Sequence, residues 1–226
     1  MADCDRRHAT DSDLFAALYD RLPDRFVIGP HREYLVADLS GPVLDLGAGT
    51  GAMIPYVDDV ADGGLEYHAI EPDPKMRRRA TRKAEAADVQ VHLRDARGES
   101  LPYADNSFDT VLSSLVFCTI PGFNAALDEV ARVLRPGGEL RFLEHVRNDG
   151  WRARAQDALT PLWSRAAGGC QLNRETVARF VDHDAFEVLD VERANVGVFP
   201  ATPIVRGRLR RRQPPDRSLL SSLMRD

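Results

Sequence analysis

The residues best suited to chemistry lie in a short glycine-rich segment at positions 43–51, with the sequence VLDLGAGTG. An apolar run leads straight into the glycines, and a helical pattern follows them. Glycine lacks a Cβ, so the backbone can approach a ligand closely, and the following helix N-terminus offers free N–H groups to an anion. By itself the segment also satisfies the loose pattern of NAD-binding proteins, through Gly47, Gly49 and Ala52.

Three acidic residues distinguish between the ligands that this turn could bind. Asp45 stands two residues before Gly47, where a carboxylate would repel a pyrophosphate but suit the ammonium and sulfonium groups of S-adenosylmethionine. Glu71 ends the next apolar run and can accept both ribose hydroxyls of an adenosine, which fits either cofactor. Asp95 follows a third run and can accept the adenine amino group. Each acid alone could be a cap or turn residue, but the three together favour S-adenosylmethionine.

The elements that must position these acids alternate between strand and helix. Apolar or β-branched runs predict strands at 43–46, 65–70, 89–94, 108–113 and 139–145. Helical stretches are predicted at 14–22, 31–39, 50–57, 74–87 and 123–134. Two further strands are expected at 186–193 and 198–206. Such alternation is typical of parallel strands with crossover helices, so the acids should share one edge of a parallel sheet.

Capping residues mark several helix ends. Asp73 precedes Pro74, and its carboxylate should accept backbone N–H groups of the first helical turn. Asn173 is expected to cap a helix at 174–182 in the same way. The Pro-Gly-Gly sequence at 136–138 should stop the preceding helix and turn the chain into a strand.

Length and composition narrow the class of protein. With 226 residues and a formal net charge of −5, one principal domain is expected, and nucleic acid is not an expected partner. No stretch reaches the ~18 apolar residues of a membrane span, and positions 1–13 are polar, so a cytoplasmic protein without stable membrane insertion is expected. Cys4, Cys118 and Cys170 show no zinc-binding spacing. Neither a metal nor a required protein partner is expected.

The ordered motifs of residues 40–150 resemble those of the class I S-adenosylmethionine-dependent methyltransferases. The motifs are LDLGAGTG at 44–51, IEPDPKM at 70–76, DARGESLP at 95–102, SFD at 107–109 and LRPGG at 134–138. This resemblance implies an α/β fold: a Rossmann-like, seven-stranded, mostly parallel sheet with helices on both faces and an antiparallel last strand. It also implies that the glycine turn and Glu71 hold the methionine and ribose moieties of the cofactor. The predicted cofactor-binding residues are Asp45, Gly47, Ala48, Gly49, Thr50, Gly51, Glu71, Pro72, Met76, Asp95, Ala96, Ser113 and Leu115.

A narrower resemblance is to the methyltransferase-like alkyl thiol methyltransferases. It rests on Trp151 and on FCTI at 117–120, LEHV at 143–146, QD at 156–157, PLW at 161–163 and GCQLNRE at 169–175. Quinone-biosynthesis C-methyltransferases share the earlier motifs but not the segment at 169–170. The resemblance implies a thiol as methyl acceptor.

The acceptor site is expected at the ends of the fourth and fifth strands, because the cofactor takes the first three. Residues 146–176 form an insertion too long for a simple crossover, and its apolar side chains, including Leu159 and Leu162, should wall a pocket. Residues 1–40 are expected to cover the site, 41–212 to form the methyltransferase domain and 213–226 a flexible tail. The predicted acceptor-side residues are Tyr19, Phe117, Cys118, Trp151, Trp163, Cys170 and Arg174.

His145 is the candidate catalytic residue, because it lies just past the fifth strand. It is either a general base or substrate contact, or a residue that caps the strand through a backbone hydrogen bond. The expected function is in-line transfer of a methyl group from S-adenosylmethionine to a small molecule, preferably a thiol. The alternatives are carbon, nitrogen or oxygen methylation of a quinone precursor, lipid amine or other metabolite, and a non-catalytic cofactor-binding module. The arginine run at 206–212 is interpreted as a solvated strand end rather than a phospholipid or nucleic-acid patch.

Overall fold

The computed structural model describes residues 28–194 and 196–213. Its strands are β1 (Pro42–Leu46), β2 (Glu66–Ile70), β3 (Val91–Arg94), β4 (Phe108–Ser114), β5 (Leu134–His145), β6 (Phe186–Ala194) and β7 (Ile204–Arg211). Its helices are α1 (Gly29–Val36), α2 (Ile54–Val60), α3 (Pro74–Ala84), α4 (Phe123–Val133), α5 (Gly150–Ala166) and α6 (Thr176–Val181). The helix predicted at 14–22, with Tyr19, and the tail beyond residue 213 lie outside the described residues.

The sheet has the strand order β3-β2-β1-β4-β5-β7-β6. The first five strands pair in parallel, and β7 runs antiparallel between β5 and β6. The Rossmann-like, mostly parallel sheet predicted from the sequence is therefore confirmed. In the register of the sheet, Leu46 pairs with Ile70 and with Ser113, and Ile70 pairs with Arg94. The carboxyl ends of four strands consequently meet at one edge.

Apolar side chains are buried on both faces of the sheet, as expected for parallel strands covered by helices. Val111 and Leu112 are adjacent in β4, fully buried, and belong to two different apolar clusters. One cluster joins the sheet to α4 and to Phe180 of α6, and the other joins it to α1 and α2. Each such leucine or valine contributes about 1.5–3 kcal/mol by burial, so these clusters hold the strand ends in place.

The glycine turn is longer than predicted. Gly47, Gly49 and Gly51 have φ values of +69°, +58° and +77°. These values lie in the left-handed region and cannot belong to an α-helix. The helix predicted at 50–57 therefore begins only at Ile54. The chain needs these extra residues to bend back from the end of β1.

Two predicted element starts are wrong for identifiable reasons. The Pro-Gly-Gly sequence at 136–138 lies within β5, because the strand begins at Leu134, opposite Phe108, and continues after an irregularity in the pairing. The last strand starts at Ile204 rather than 198. Pro203 lacks the N–H that a strand paired on both sides must donate.

The predicted caps have opposite outcomes. The Asp73 cap is confirmed, since its carboxylate accepts the backbone N–H groups of Lys75 at 2.7 Å and Met76 at 2.9 Å. The Asn173 cap is wrong, because α6 begins at Thr176 and the Asn173 amide donates instead to Asp157 at 3.1 Å.

The arginine run lies on β7 and pairs across the strands with acids of β6. Arg206 bonds Glu192 at 2.8 Å, and Arg208 bonds Asp190 at 2.7 Å. Cross-strand ion pairs of this kind largely cancel the positive charge locally. Within residues 28–194 and 196–213, no helix has the length and apolar character needed to cross a membrane. In the same residues, no group of three or more acids, histidines or cysteines could hold a metal.

Candidate active site

The turn after β1 leaves open space on one side of its backbone. A Cβ added to Gly47 would lie 2.7 Å from Val116, and one added to Gly51 would lie 2.8 Å from Ile54. A Cβ at Gly49 would meet nothing nearer than the Met76 sulfur at 3.9 Å. Two of the glycines are therefore needed for close packing, whereas Gly49 borders open space.

Glu71 is fixed at the rim of this space. It is buried, and its two carboxylate oxygens accept the backbone N–H groups of Gly49 and Asp73, each at 2.8 Å. Burial raises the pKa of Glu71, and the two backbone hydrogen bonds oppose that rise. Each carboxylate oxygen has a further lone-pair site, so the group can accept hydroxyl groups while it holds the turn.

Asp45 lies beneath the same turn and is almost completely buried. Its carboxylate accepts the hydroxyl of Tyr67 at 2.8 Å. Burial raises the pKa of Asp45 to about 7, and nearby Glu71 raises it too, whereas Tyr67 and the buried Arg32 lower it. A carboxyl group poised near neutral pH favours a positively charged ligand. Tyr67 and Arg32 were not predicted as site residues; a tyrosine in a strand with buried neighbours was the available signal.

The third acid lies at the end of β3. Asp95 is largely exposed and pairs with Arg77 at 2.8 Å. The same guanidinium donates to the carbonyl of Glu71 at 2.6 Å and to that of Pro72 at 3.1 Å. Arg77 thus ties the ends of β2 and β3 together. Met76 and Ala96 are half-buried beside this link.

Glu144 organises the ends of β4 and β5, although it was not among the predicted site residues. It is fully buried and accepts four hydrogen bonds. They come from the Ser113 hydroxyl at 2.7 Å and from the backbone N–H groups of Val116 at 3.0 Å, Phe117 at 3.0 Å and Cys118 at 3.1 Å. Burial raises the pKa of Glu144, and these bonds oppose the rise. An acid directly after the apolar residues Phe142 and Leu143, at the end of the predicted strand, was the signal that could have revealed it.

Two of the predicted cofactor-binding residues, Ser113 and Leu115, lie at the end of β4 and bond to the end of β5. Ser113 is fully buried and its hydroxyl bonds Glu144, so that hydroxyl is already engaged. Leu115 has a φ of +61°, a conformation rare for a residue with a side chain, and its N–H donates to Leu143 at 2.7 Å. Such strain persists only where the surroundings impose it, and it often lies beside functional sites.

His145 is the last residue of β5 and is 3% exposed. Its Nε2 lies 3.4 Å from the carbonyl oxygen of Pro200. A carbonyl only accepts, so this contact assigns the proton to Nε2 and leaves a lone pair on Nδ1. Nδ1 is buried and has no hydrogen-bond partner among the residues that the structure describes. Burial lowers the pKa of His145 and so favours the neutral form of the ring, while the weak contact with the Pro200 carbonyl opposes that shift.

The loop after β4 does not present all of its predicted acceptor-side residues to a pocket. Phe117 is fully buried, with ring centroids 4.9 Å from Phe123 and 5.0 Å from Phe180. It packs among core aromatic residues, and its predicted contact with the acceptor stays a prediction. Cys118 is buried as well, and its carbonyl accepts the N–H of Gln171 at 2.9 Å.

The polar end of the insertion holds this loop in place. Arg174 donates to the carbonyls of Phe117 and, at 2.6 Å, Ile120. Both groups lie in the loop after β4, so Arg174 positions that loop; its predicted polar contact with the acceptor stays a prediction. Cys170 is half-buried next to that loop, and the thiols of Cys118 and Cys170 interact, which raises the pKa of Cys118 and lowers that of Cys170.

Most of the predicted apolar wall of the insertion is exposed in the part of the chain that the structure describes. Trp151 is 70% exposed and Leu162 is 69% exposed. Helix α5 instead buries Gln156, whose amide donates to the carbonyls of Pro200 at 3.0 Å and Thr202 at 2.9 Å. The helix is oriented by these polar bonds, because the buried Gln156 amide must find acceptors. Leu159 is partly exposed, and Trp163 is half-buried.

Comparison with known sequences gives consistent matches. A family model described as a methyltransferase domain matches residues 44–142. Thiol S-methyltransferase TMT1B of Homo sapiens is 34% identical over 156 residues, which cover 67% of this chain and 62% of that protein. The demethylmenaquinone methyltransferase of Thermus thermophilus is 37% identical over 102 residues, which cover 45% of this chain and 46% of that protein. The chain therefore spans less than two thirds of the length of either relative.

Solved structures share the fold at low sequence identity. The N-methyltransferase NodS of Bradyrhizobium japonicum has a TM-score of 0.61 and 18% identity, with 86% of this chain and 99% of that chain covered. The [4+2]-cyclase SpnF has a TM-score of 0.65 and 19% identity, with 82% and 81% covered. Because one of these is a cyclase by name, the fold alone does not assign a reaction.

Proposed function

Since the chain carries a class I S-adenosylmethionine-dependent methyltransferase domain, we propose that it transfers the methyl group of S-adenosylmethionine to a small thiol. The observation that carries the cofactor assignment is the alignment of Asp45, Glu71 and Asp95 at the ends of three neighbouring strands, around an open glycine turn. The thiol is supported by the 34% identity to the human thiol S-methyltransferase.

The residues present fit this cofactor group by group. The space beside Gly49 admits the chain of a ligand that the backbone approaches closely. Glu71 has lone pairs for the ribose hydroxyls, and the Asp45 carboxylate suits the cationic methionine end. Asp95 and Met76 border the adenine side. When bound, S-adenosylmethionine supplies an electrophilic methyl group on a positively charged sulfur.

The protein then has two tasks, to orient the acceptor and to take its proton. Correct alignment can contribute about 7–11 kcal/mol in favourable model reactions. An alkyl thiol with a pKa near ~8.5 is mostly protonated at neutral pH. We propose that Nδ1 of His145 accepts the S–H proton, leaving the thiolate sulfur to attack in line. The neutral tautomer assigned by the Pro200 contact supports this role.

The acceptor is tested by offering a panel of alkyl thiols, phenols, quinone precursors and lipid amines with labelled S-adenosylmethionine. We expect methyl thioethers from the alkyl thiols, identified by mass spectrometry. His145→Gln should slow transfer to an alkyl thiol by about 10²–10⁴-fold, the range of general-base catalysis. The same variant should slow transfer to an acidic thiophenol much less, because that acceptor is already ionised.

A second candidate is carbon methylation of a quinone precursor, favoured by the 37% identity to demethylmenaquinone methyltransferase over 102 residues. Methylation of a quinone precursor with no thiol product would refute the thiol assignment and leave the methyltransferase class intact. An equal loss for both thiols in His145→Gln would mean that His145 has a structural role only.

Cofactor binding should release a proton from Asp45. The pKa of Asp45 is about 7 in the free protein, so most molecules hold the proton at pH 6. A cation beside the carboxylate lowers that pKa, so affinity should rise with pH up to about 7 and level off above it.

Calorimetry at pH 6 in buffers of different ionisation enthalpy measures this release, and we expect nearly one proton per cofactor bound. Asp45→Asn is the matched control, since its amide oxygen can still accept from Tyr67 but cannot titrate. Binding with no proton release in the unmodified protein would place the cationic end of the cofactor away from Asp45.

A further inference from the structure

The outer face of α5 has the opposite polarity to its inner face. The inner face buries the polar side chains Gln156 and Thr160 together with Ala153. The outer face presents Trp151 and Leu162, both about 70% exposed. A surface helix of a water-soluble domain normally turns its large apolar residues inward. Packing in the hydrophobic core therefore does not explain why Trp151 and Leu162 face outward.

The exposed apolar residues form one continuous stripe. At 3.6 residues per turn they fall within an arc of about 100°. The stripe consists of Trp151, Ala155, Ala158, Leu159, Leu162 and Ala166, and we call it the α5 stripe. Its end at Trp151 is extended by the neighbouring loop, since the Trp151 and Phe199 rings lie 6.1 Å apart and Val198 is 80% exposed.

Exposed arginines flank the stripe on both sides. Arg154 and Arg165 lie along one side, and Arg152 lies along the other, with its guanidinium 5.5 Å from the Trp151 ring. The nearby acids are engaged elsewhere: Asp157 pairs with Arg147 at 2.8 Å, and Asp149 pairs with Arg193 at 3.2 Å. The stripe is thus locally basic in a chain whose net charge is −5.

We propose that the α5 stripe docks on the surface of an anionic lipid bilayer. A tryptophan and leucines on one face, with arginines at its edges, match a helix that lies in the plane of the headgroups. The apolar residues would enter the acyl boundary and the arginines would contact lipid phosphates. The proposed contact is peripheral.

Charge argues against a second copy of the chain as the occupant. In a twofold dimer the same stripe would meet itself. Both edges of the stripe carry arginine, so each arrangement would bring arginines together without acids between them. An anionic surface is complementary to both edges at once.

The position of the stripe connects this surface with the proposed acceptor site. The inner face of α5 bonds the carbonyl of Pro200 through Gln156, and the same carbonyl contacts His145. Docking would therefore place the His145 edge of the sheet close to the lipid. Lipid binding does not depend on the proposed thiol chemistry, so failure of one leaves the other standing.

Cosedimentation of the full chain with lipid vesicles tests the proposal. We expect binding to vesicles of phosphatidylcholine with phosphatidylglycerol, weak binding to phosphatidylcholine alone, and loss of binding at high salt. Arg154→Gln/Arg165→Gln should weaken binding by about 25-fold, about fivefold for each arginine near an anionic surface. Leu162→Glu should remove most of it.

Matched controls lie elsewhere on the surface. Arg78→Gln/Arg82→Gln removes two exposed arginines from α3, and Val181→Glu adds an acid at a valine that is 52% exposed. Both should bind vesicles like the unmodified protein. The proposal is overturned if no vesicle binds at low salt or if the controls lose binding equally. It also fails if sedimentation velocity shows a dimer that Leu162→Glu dissociates.

Discussion

Gly49→Val is expected to weaken S-adenosylmethionine binding about 5- to 150-fold while the domain still folds. The added side chain would enter the open space beside the turn, where the nearest side-chain atom is the Met76 sulfur at 3.9 Å. Overpacking of about 1–3 kcal/mol corresponds to that loss of affinity. Calorimetric titration with S-adenosylmethionine and with S-adenosylhomocysteine measures the effect directly.

The matched control is Gly63→Val. Gly63 also has a left-handed backbone, with φ +80°, but an added Cβ there meets nothing within 4 Å. Both variants therefore carry the same backbone penalty of about 1–2 kcal/mol, visible as a lower melting temperature. Only Gly49→Val should lose the cofactor. Unchanged affinity in Gly49→Val would mean that the cofactor binds elsewhere.

The cofactor side of the fold was predictable because its signals are local. Each acid lies within a few residues of the strand that it ends, and the turn glycines directly follow β1. A parallel sheet then brings Asp45, Glu71 and Asp95 to one edge without any knowledge of packing. The structure places them there. The start of α2 was misjudged, since the sequence does not reveal how many turn residues have positive φ.

The acceptor side was less predictable because distant segments determine it. Arg174 contacts carbonyls 54 and 57 positions earlier in the chain. Gln156 turns α5 toward carbonyls at positions 200 and 202, which leaves Trp151 and Leu162 outside. The apolar residues of α5 were predicted to line the acceptor pocket. The hydrogen bonds of Gln156, which no local sequence pattern indicates, instead orient the helix so that these residues face outward.

Glu144 is the strongest case of such a long-range contact, with partners 26 to 31 positions away. Glu144→Ala would leave a buried hydroxyl and three buried backbone N–H groups without their acceptor. Each unsatisfied donor costs about 1–3 kcal/mol, and a domain has only about 5–15 kcal/mol of stability in all. We expect Glu144→Ala to unfold the domain or bring it close to unfolding, as measured by urea denaturation.

Glu144→Gln keeps the prediction testable if the alanine variant does not fold. The amide oxygen can replace Oε1, which accepts from Ser113, Val116 and Phe117, but the amide NH₂ would face the N–H of Cys118. The free energy of unfolding should therefore fall by about 1–3 kcal/mol, the cost of one unsatisfied donor.

Arg135→Gln is the control on the same strand, because Arg135 makes an exposed ion pair with Asp109 at 2.7 Å. Its loss should cost less than about 1 kcal/mol. The loop that Glu144 holds begins at Leu115, whose strained backbone borders the end of β4. Glu144→Gln should consequently weaken cofactor binding as well as stability, and Arg135→Gln should change neither appreciably. Equal stability losses in the two glutamine variants would mean that the four bonds to Glu144 do not hold this loop.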